Sequence, residues 1–190
     1  VMRSYGVLDA LDRIQAEGLT EFVGFTALGD ASACRAVVQS GRVDTAQVYY
    51  NLINPSAGCD IKGHWHSEDY TGLLNACQQS DVGVLGIRVY AAGILASRVR
   101  HGREIPVTRN SDYDSELKRA DMVREVLAEM DGSDAQKALR FVQDQDAIHG
   151  AVIGLAELSH LKEAIEATQM SPLSNSVTEA LQALWNRNYC

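Results

Sequence analysis

Two stretches of the 190-residue sequence gather side chains that can do chemistry. The first is Cys59-x-x-x-x-His64-x-His66, with Glu68 and Asp69 close behind. Thiolate, imidazole and carboxylate are the ligands that zinc takes. The spacing matches no common zinc site, and loops carry histidine freely, so no metal is expected there. The second stretch holds Arg98, Arg100, His101 and Arg103. A guanidinium pairs with phosphate through two parallel bonds. In a chain of net charge −8, this cluster reads either as an anion-facing loop or as ordinary solvated arginines. The common phosphate and hydrolase signatures are missing. No G-x-G-x-x-G opens a helix and no G-x-x-x-x-G-K-[ST] is present. Neither H-E-x-x-H nor G-x-S-x-G occurs.

The elements that must position such residues alternate regularly. Residues 6–16 carry Val7, Leu8, Leu11 and Ile14 at helical spacing, and Gly18 is a natural stop. A buried strand is predicted over 22–27. Asp30 then caps a helix through Val38, closed by Gly41. Further strands are predicted over 45–50, 83–89 and 151–155. Helices are expected over 68–79, 116–130, 135–145 and 159–168. The last helix is predicted to start at a capping box, Ser176-Val177-Thr178-Glu179, and to run through Leu181, Leu184 and Trp185. A polar loop fills 51–67 and a long connection fills 96–112. Short apolar strands joined by helices indicate parallel β/α units with both sheet faces covered. Doubly wound sheets and β/α barrels both fit, and residues 1–190 read as one domain.

Composition narrows the class. Hydrophobic residues make up 46% and charged residues 22%, ordinary for a globular domain. The acidic balance argues against a nucleic-acid or anionic-membrane binder. No run of 18 apolar residues and no secretory signal is visible, so a cytoplasmic location is expected. Cys34, Cys59, Cys77 and Cys190 form no C-x-x-C pair and read as reduced thiols, with Cys34 and Cys77 as small core residues.

At the strands the sequence resembles a known family. Ala16-Glu17-Gly18-Leu19-Thr20-Glu21-Phe22-Val23-Gly24-Phe25-Thr26 is similar to a helix-to-strand segment of the aldo-keto reductases. Gln47-Val48-Tyr49-Tyr50-Asn51-Leu52 resembles their next strand, of the form Q-x-x-Y-N-L. The stretch from Gly83 to Gly93 resembles the seventh strand and its turn. Val152-Ile153-Gly154-Leu155 through Leu161-Lys162-Glu163-Ala164 resembles the eighth strand and the helix after it. The motifs follow in order over nearly the whole chain. The resemblance implies a partial (β/α) TIM-type barrel of α/β class, with four parallel strands equivalent to strands five to eight and the N-terminal half lacking.

It also implies an oxidoreductase that uses NADPH on small carbonyl or alcohol substrates. Carried over residue by residue, Thr26 and Gln47 would hold the nicotinamide carboxamide, while Ala27 stands where the family has an asparagine. Ile87 would pack on the nicotinamide where the family often stacks an aromatic ring. The backbone from Arg88 to Gly93 would lie against the pyrophosphate, with Gly93 permitting close approach. Gly154, His160, Lys162 and Glu163 would meet the adenosine phosphate, leaving a recognisable but thinned site. The family's catalytic Asp, Tyr, Lys and His have no counterpart here. Tyr49, Tyr50 and Tyr90 with Lys62 offer a substitute only if the fold brings them together; core or rim tyrosines and a solvated lysine are the favoured reading. The alternative function is a non-catalytic nucleotide-binding or scaffold remnant of the fold. Four parallel strands also leave two open edges, which invites a homo-oligomer.

Overall fold

The computed structural model describes residues 2–62, 65, 67–99 and 112–189. Four short strands carry the architecture: β1 (Gly24–Ala27), β2 (Thr45–Tyr49), β3 (Gly83–Ile87) and β4 (Gly150–Ala151). They pair in chain order, all parallel. Parallel neighbours need a crossover between them, and helices supply it. In chain order these are α1 (Val7–Ala16), α2 (Ala31–Gln39), α3 (Leu73–Gln79), α4 (Tyr113–Val126), α5 (Asp134–Gln143), α6 (Leu158–Ala167) and α7 (Asn175–Asn186). The result is a partial (β/α) barrel with its four parallel strands and surrounding helices. No helix among the described residues is long and apolar enough to cross a membrane.

Side chains alternate across a strand, and the two faces of this sheet differ. Ala27, Ala46, Val48 and Val84 lie on one face and are at most 1% exposed. Helices cover this face. A methyl group built on Gly86 would meet Val142 of α5 at 2.9 Å and Ile148 at 3.2 Å. Cys34 of α2 and Cys77 of α3 are buried in the same core, as their helical patterns predict. Burial pushes the Cys77 thiol up to about 11, which suits an inert core residue. On the other face Thr26 and Thr45 are exposed and Gln47, Leu85 and Ile87 are half-buried. The expectation that both faces are covered therefore fails among the described residues.

Local signals explain most element boundaries, including those that differ from expectation. Asp30 caps α2 by accepting from the Ala33 N–H at 2.8 Å. Ser174, two residues before the predicted cap, receives the Val177 N–H and starts α7. The capping box lies elsewhere, with Ser133 and Gln136 reciprocating at the start of α5. The helix predicted from Glu68 begins only at Leu73. Residues before it serve the loop: Asn54 Nδ2 donates to the Glu68 carbonyl at 3.0 Å and the Tyr70 N–H donates to Ser56 Oγ at 3.0 Å. Tyr70 itself is fully buried. The fourth strand, predicted over 151–155, shrinks to two ladder residues. Val152 still donates its N–H to the Gly86 carbonyl at 2.8 Å. Beyond it the chain leaves the sheet, and the apolar run leaves Val152 48% and Leu155 42% exposed.

Candidate functional site

The open face begins with Thr26 and Gln47. They are 21 residues apart in sequence but opposite each other in the β1–β2 register. Thr26 Oγ1 donates to Gln47 Oε1 at 3.2 Å. That bond takes one of the two lone pairs of the amide oxygen and leaves the Nε2 donors unused by it. A hydroxyl and an amide side by side can take both halves of a carboxamide. Ala27, the next residue on β1, points the other way and is fully buried. It belongs to the core.

One level up on the open face, Ile87 of β3 lies opposite Tyr49 of β2. Tyr49 is 6% exposed and stacks on Tyr70 with ring centroids 6.0 Å apart. Burial pushes its phenol up to about 12, opposed by a hydrogen bond from Asn51. Immediately after β3 the backbone enters an unusual turn. Arg88, Ala91, Ala92 and Gly93 have φ of +60°, +45°, +58° and +99°. Left-handed backbone costs a side-chain-bearing residue roughly 1–2 kcal/mol, so three non-glycine residues there must be held by their surroundings. The Ala91 N–H donates to the Arg88 carbonyl and the Gly93 N–H to the Tyr90 carbonyl, each at 2.8 Å. The turn goes on closing on itself, with the Ile94 N–H donating to the Ala91 carbonyl at 3.2 Å and the Leu95 N–H to the Tyr90 carbonyl at 3.1 Å.

The remaining candidates follow β4. Gly154 and His160 are exposed, and so is Lys162 in the first half of α6. His160 Nδ1 accepts the Ala156 N–H at 3.4 Å, a long bond. Glu163 stands differently. Its carboxylate receives the hydroxyl of Ser133, and its carbonyl receives Gln136 Nε2 at 3.3 Å. It fastens α6 to the capped end of α5. It also lies near half-buried Tyr90, whose phenol is pushed up by burial first and by Glu163 next.

The substitute proton donor does not assemble. Tyr50 stacks on Phe141 at 5.0 Å, and its hydroxyl lies 3.9 Å from Cys59 Sγ. Burial raises it, as it raises Tyr49 and Tyr90. A general acid of this kind needs a cation beside it to lower the phenol. The one cation among the neighbours that perturb these three phenols is Arg88, which opposes the rise at Tyr49 without overcoming burial; no lysine acts on any of them. Lys62 is exposed, and its backbone N–H donates to Asn186 Oδ1 at 3.1 Å.

Of the basic cluster, Arg98 pairs with Asp121 at 3.6 Å across an exposed surface, an arrangement worth little. Arg100, His101, Arg103, His64, His66 and Cys190 lie outside the described residues. Two residues that the sequence did not single out bracket the turn after β3. Asn51 Nδ2 donates to the Arg88 carbonyl at 3.0 Å. Arg124, 7% exposed, donates to the Ile94 carbonyl and binds Asp121 and Asp134 at 2.8 and 2.7 Å.

The aldo/keto reductase family model matches residues 5–186. Comparison with curated proteins gives no match. Among solved structures, the holo form of aldo-keto reductase AKR11C1 from Bacillus halodurans superposes with a TM-score of 0.68. Identity is 17%, over 94% of this chain and 55% of that one. Its apo form gives the same TM-score and identity over 56% of its length. This chain spans little more than half the length of those relatives, and likeness at such identity concerns the fold.

Proposed function

Because the chain belongs to the aldo/keto reductase family, we propose that its open sheet face holds the nicotinamide end of NADP(H), within an oxidoreductase acting on small carbonyl or alcohol substrates. The observation that carries this reading is the bonded pair Thr26–Gln47 on that face, at 3.2 Å. Thr26 and Gln47 would grip the carboxamide, and Ile87 would pack on the ring. The left-handed turn from Arg88 to Gly93 would lie against the pyrophosphate. His160 and Lys162, exposed on α6, would face the adenosine phosphate, with NADPH favoured over NADH. The bound nicotinamide supplies hydride. The chain's own part is to hold one ring face toward the carbonyl carbon.

The proton is the weak point. Carbonyl reduction needs an acid at the developing alkoxide, and the three candidate phenols are raised rather than lowered. That favours nucleotide binding over turnover by these 190 residues taken alone. The open β1 and β4 edges fit the further reading that residues 1–190, as one unit, pair with a second copy.

Calorimetric titration of the purified 190-residue chain with NADPH, at an oligomeric state measured by light scattering, tests the reading. Micromolar binding is expected, weakened at least tenfold by Gln47→Ala. No binding at millimolar cofactor overturns the assignment of Thr26, Gln47 and His160.

A further inference from the structure

Asn51 is fully buried, two residues past the end of β2. Beside the bond it gives the Tyr49 phenol, its side chain does two separable jobs. The oxygen, Oδ1, accepts the N–H groups of Ile53 and Asn54 at 3.0 and 2.9 Å. Those bonds close a tight local turn, in which Asn51 and Asn54 also exchange backbone bonds at 3.2 and 3.1 Å. A turn of this kind needs only the side-chain oxygen, and aspartate makes it as well as asparagine. The nitrogen, Nδ2, is not needed for the turn. It crosses 37 residues of sequence to reach the Arg88 carbonyl at 3.0 Å.

That carbonyl opens the left-handed turn after β3. It already receives the Ala91 N–H at 2.8 Å, so Asn51 adds a second bond from another strand. Left-handed backbone at Arg88, Ala91 and Ala92 persists only where neighbours over-determine it. Asn51 holds the entry to this turn, and Arg124 holds the carbonyl of Ile94 at its exit. The loop that carries Asn51 is itself pinned. Trp185 Nε1 and the Tyr189 hydroxyl both donate to the Leu52 carbonyl, at 3.0 and 3.2 Å.

We propose that Asn51 is a positioning residue whose Nδ2 fixes the backbone from Arg88 to Gly93 in its nucleotide-facing shape. The ligand part of this proposal rests on the cofactor reading above. Its geometric part does not.

The test uses Asn51→Asp in the full chain, read two ways. Aspartate keeps the oxygen for the local turn and sets a second acceptor against the Arg88 carbonyl. Hydrogen exchange in the free protein should quicken by about tenfold or more at the Ala91 and Gly93 amides and stay slow at Ile53 and Asn54. The NADPH dissociation constant should rise by about tenfold. Unchanged exchange at Ala91 and Gly93 overturns the positioning role, whatever the cofactor result. Quickened exchange with NADPH affinity unchanged overturns its link to the ligand. If the parent chain binds no NADPH, the cofactor reading fails and exchange still decides the geometric claim. If Asn51→Asp does not fold, Asn51→Ser keeps a shorter oxygen for the turn and the same exchange readout applies.

Discussion

The two faces of the sheet come from the same four short strands yet obey different rules. On the covered face, Ala27, Ala46, Val48 and Val84 are sized by the helices above them. There the neighbours decide the residue. On the open face, Thr26, Gln47 and Ile87 are not sized by packing among the described residues. Hydroxyl and amide sit where a core would want Val or Leu. A position released from packing can be spent on recognition, whereas a packed position cannot change without cost.

The contrast can be broken from the covered side first. Trp185, 1% exposed, packs on Phe141 with ring centroids 5.7 Å apart. Trp185→Ala should destabilise by about 3–5 kcal/mol, read as a lower urea midpoint. Gly86→Ala should cost about 1–3 kcal/mol, because its methyl would press on Val142 and Ile148. A gain in stability would mean that the covered face is looser than its distances imply. Ser133→Ala removes a capping box and a bond to Glu163, and should cost about 1 kcal/mol. On the open face, Thr26→Val should change stability by less than about 0.5 kcal/mol while weakening NADPH binding several-fold. A large stability loss there would erase the distinction between the faces.

Alkaline titration sharpens the same comparison where the two faces meet. Tyr49 has its folded phenol raised from 10.0 to about 12. A raised phenol binds its proton more tightly when folded, so its contribution is complete below pH 10 and is lost as pH rises toward 12. Urea midpoints at both ends of that window should fall less for Tyr49→Phe than for the parent chain.

The covered face was the more legible in sequence. The apolar runs of β1, β2 and β3 announce themselves, because a strand buried on one side by helices must be apolar there. β4 was over-read for a physical reason. Val152 through Leu155 have strand composition, but in the ladder their stretch pairs only as far as Gly86. α3 starts later than its pattern predicts because the backbone of Glu68 and Tyr70 is engaged in loop bonds. A helix pattern does not reveal that. Ser176 satisfied a capping pattern, yet Ser174 won by standing first. In the candidate site, Thr26 and Gln47 were named from the family resemblance, and their contact needed the register. Glu163 carries an expected phosphate-side role from the resemblance, and its bond with Ser133 is a tertiary fact that no spacing announces. Asn51 lay within the quoted Tyr49-Tyr50-Asn51 motif, but its reach to Arg88 is a tertiary fact.

Strand order that follows chain order has a kinetic consequence. Among the described residues each strand pairs only with its neighbours in chain order, so the first two ladders each close over one helical crossover and the third over α4 and α5. Assembly can then proceed unit by unit, as in repeat proteins. The ladders are unequal: β2 and β3 share five register pairs, β3 and β4 only two. Native-state exchange should therefore show a gradient. Amides of β2 and β3 open last, with the free energy of global unfolding. Those of β4 fray first, at a rate set by the weakest rung.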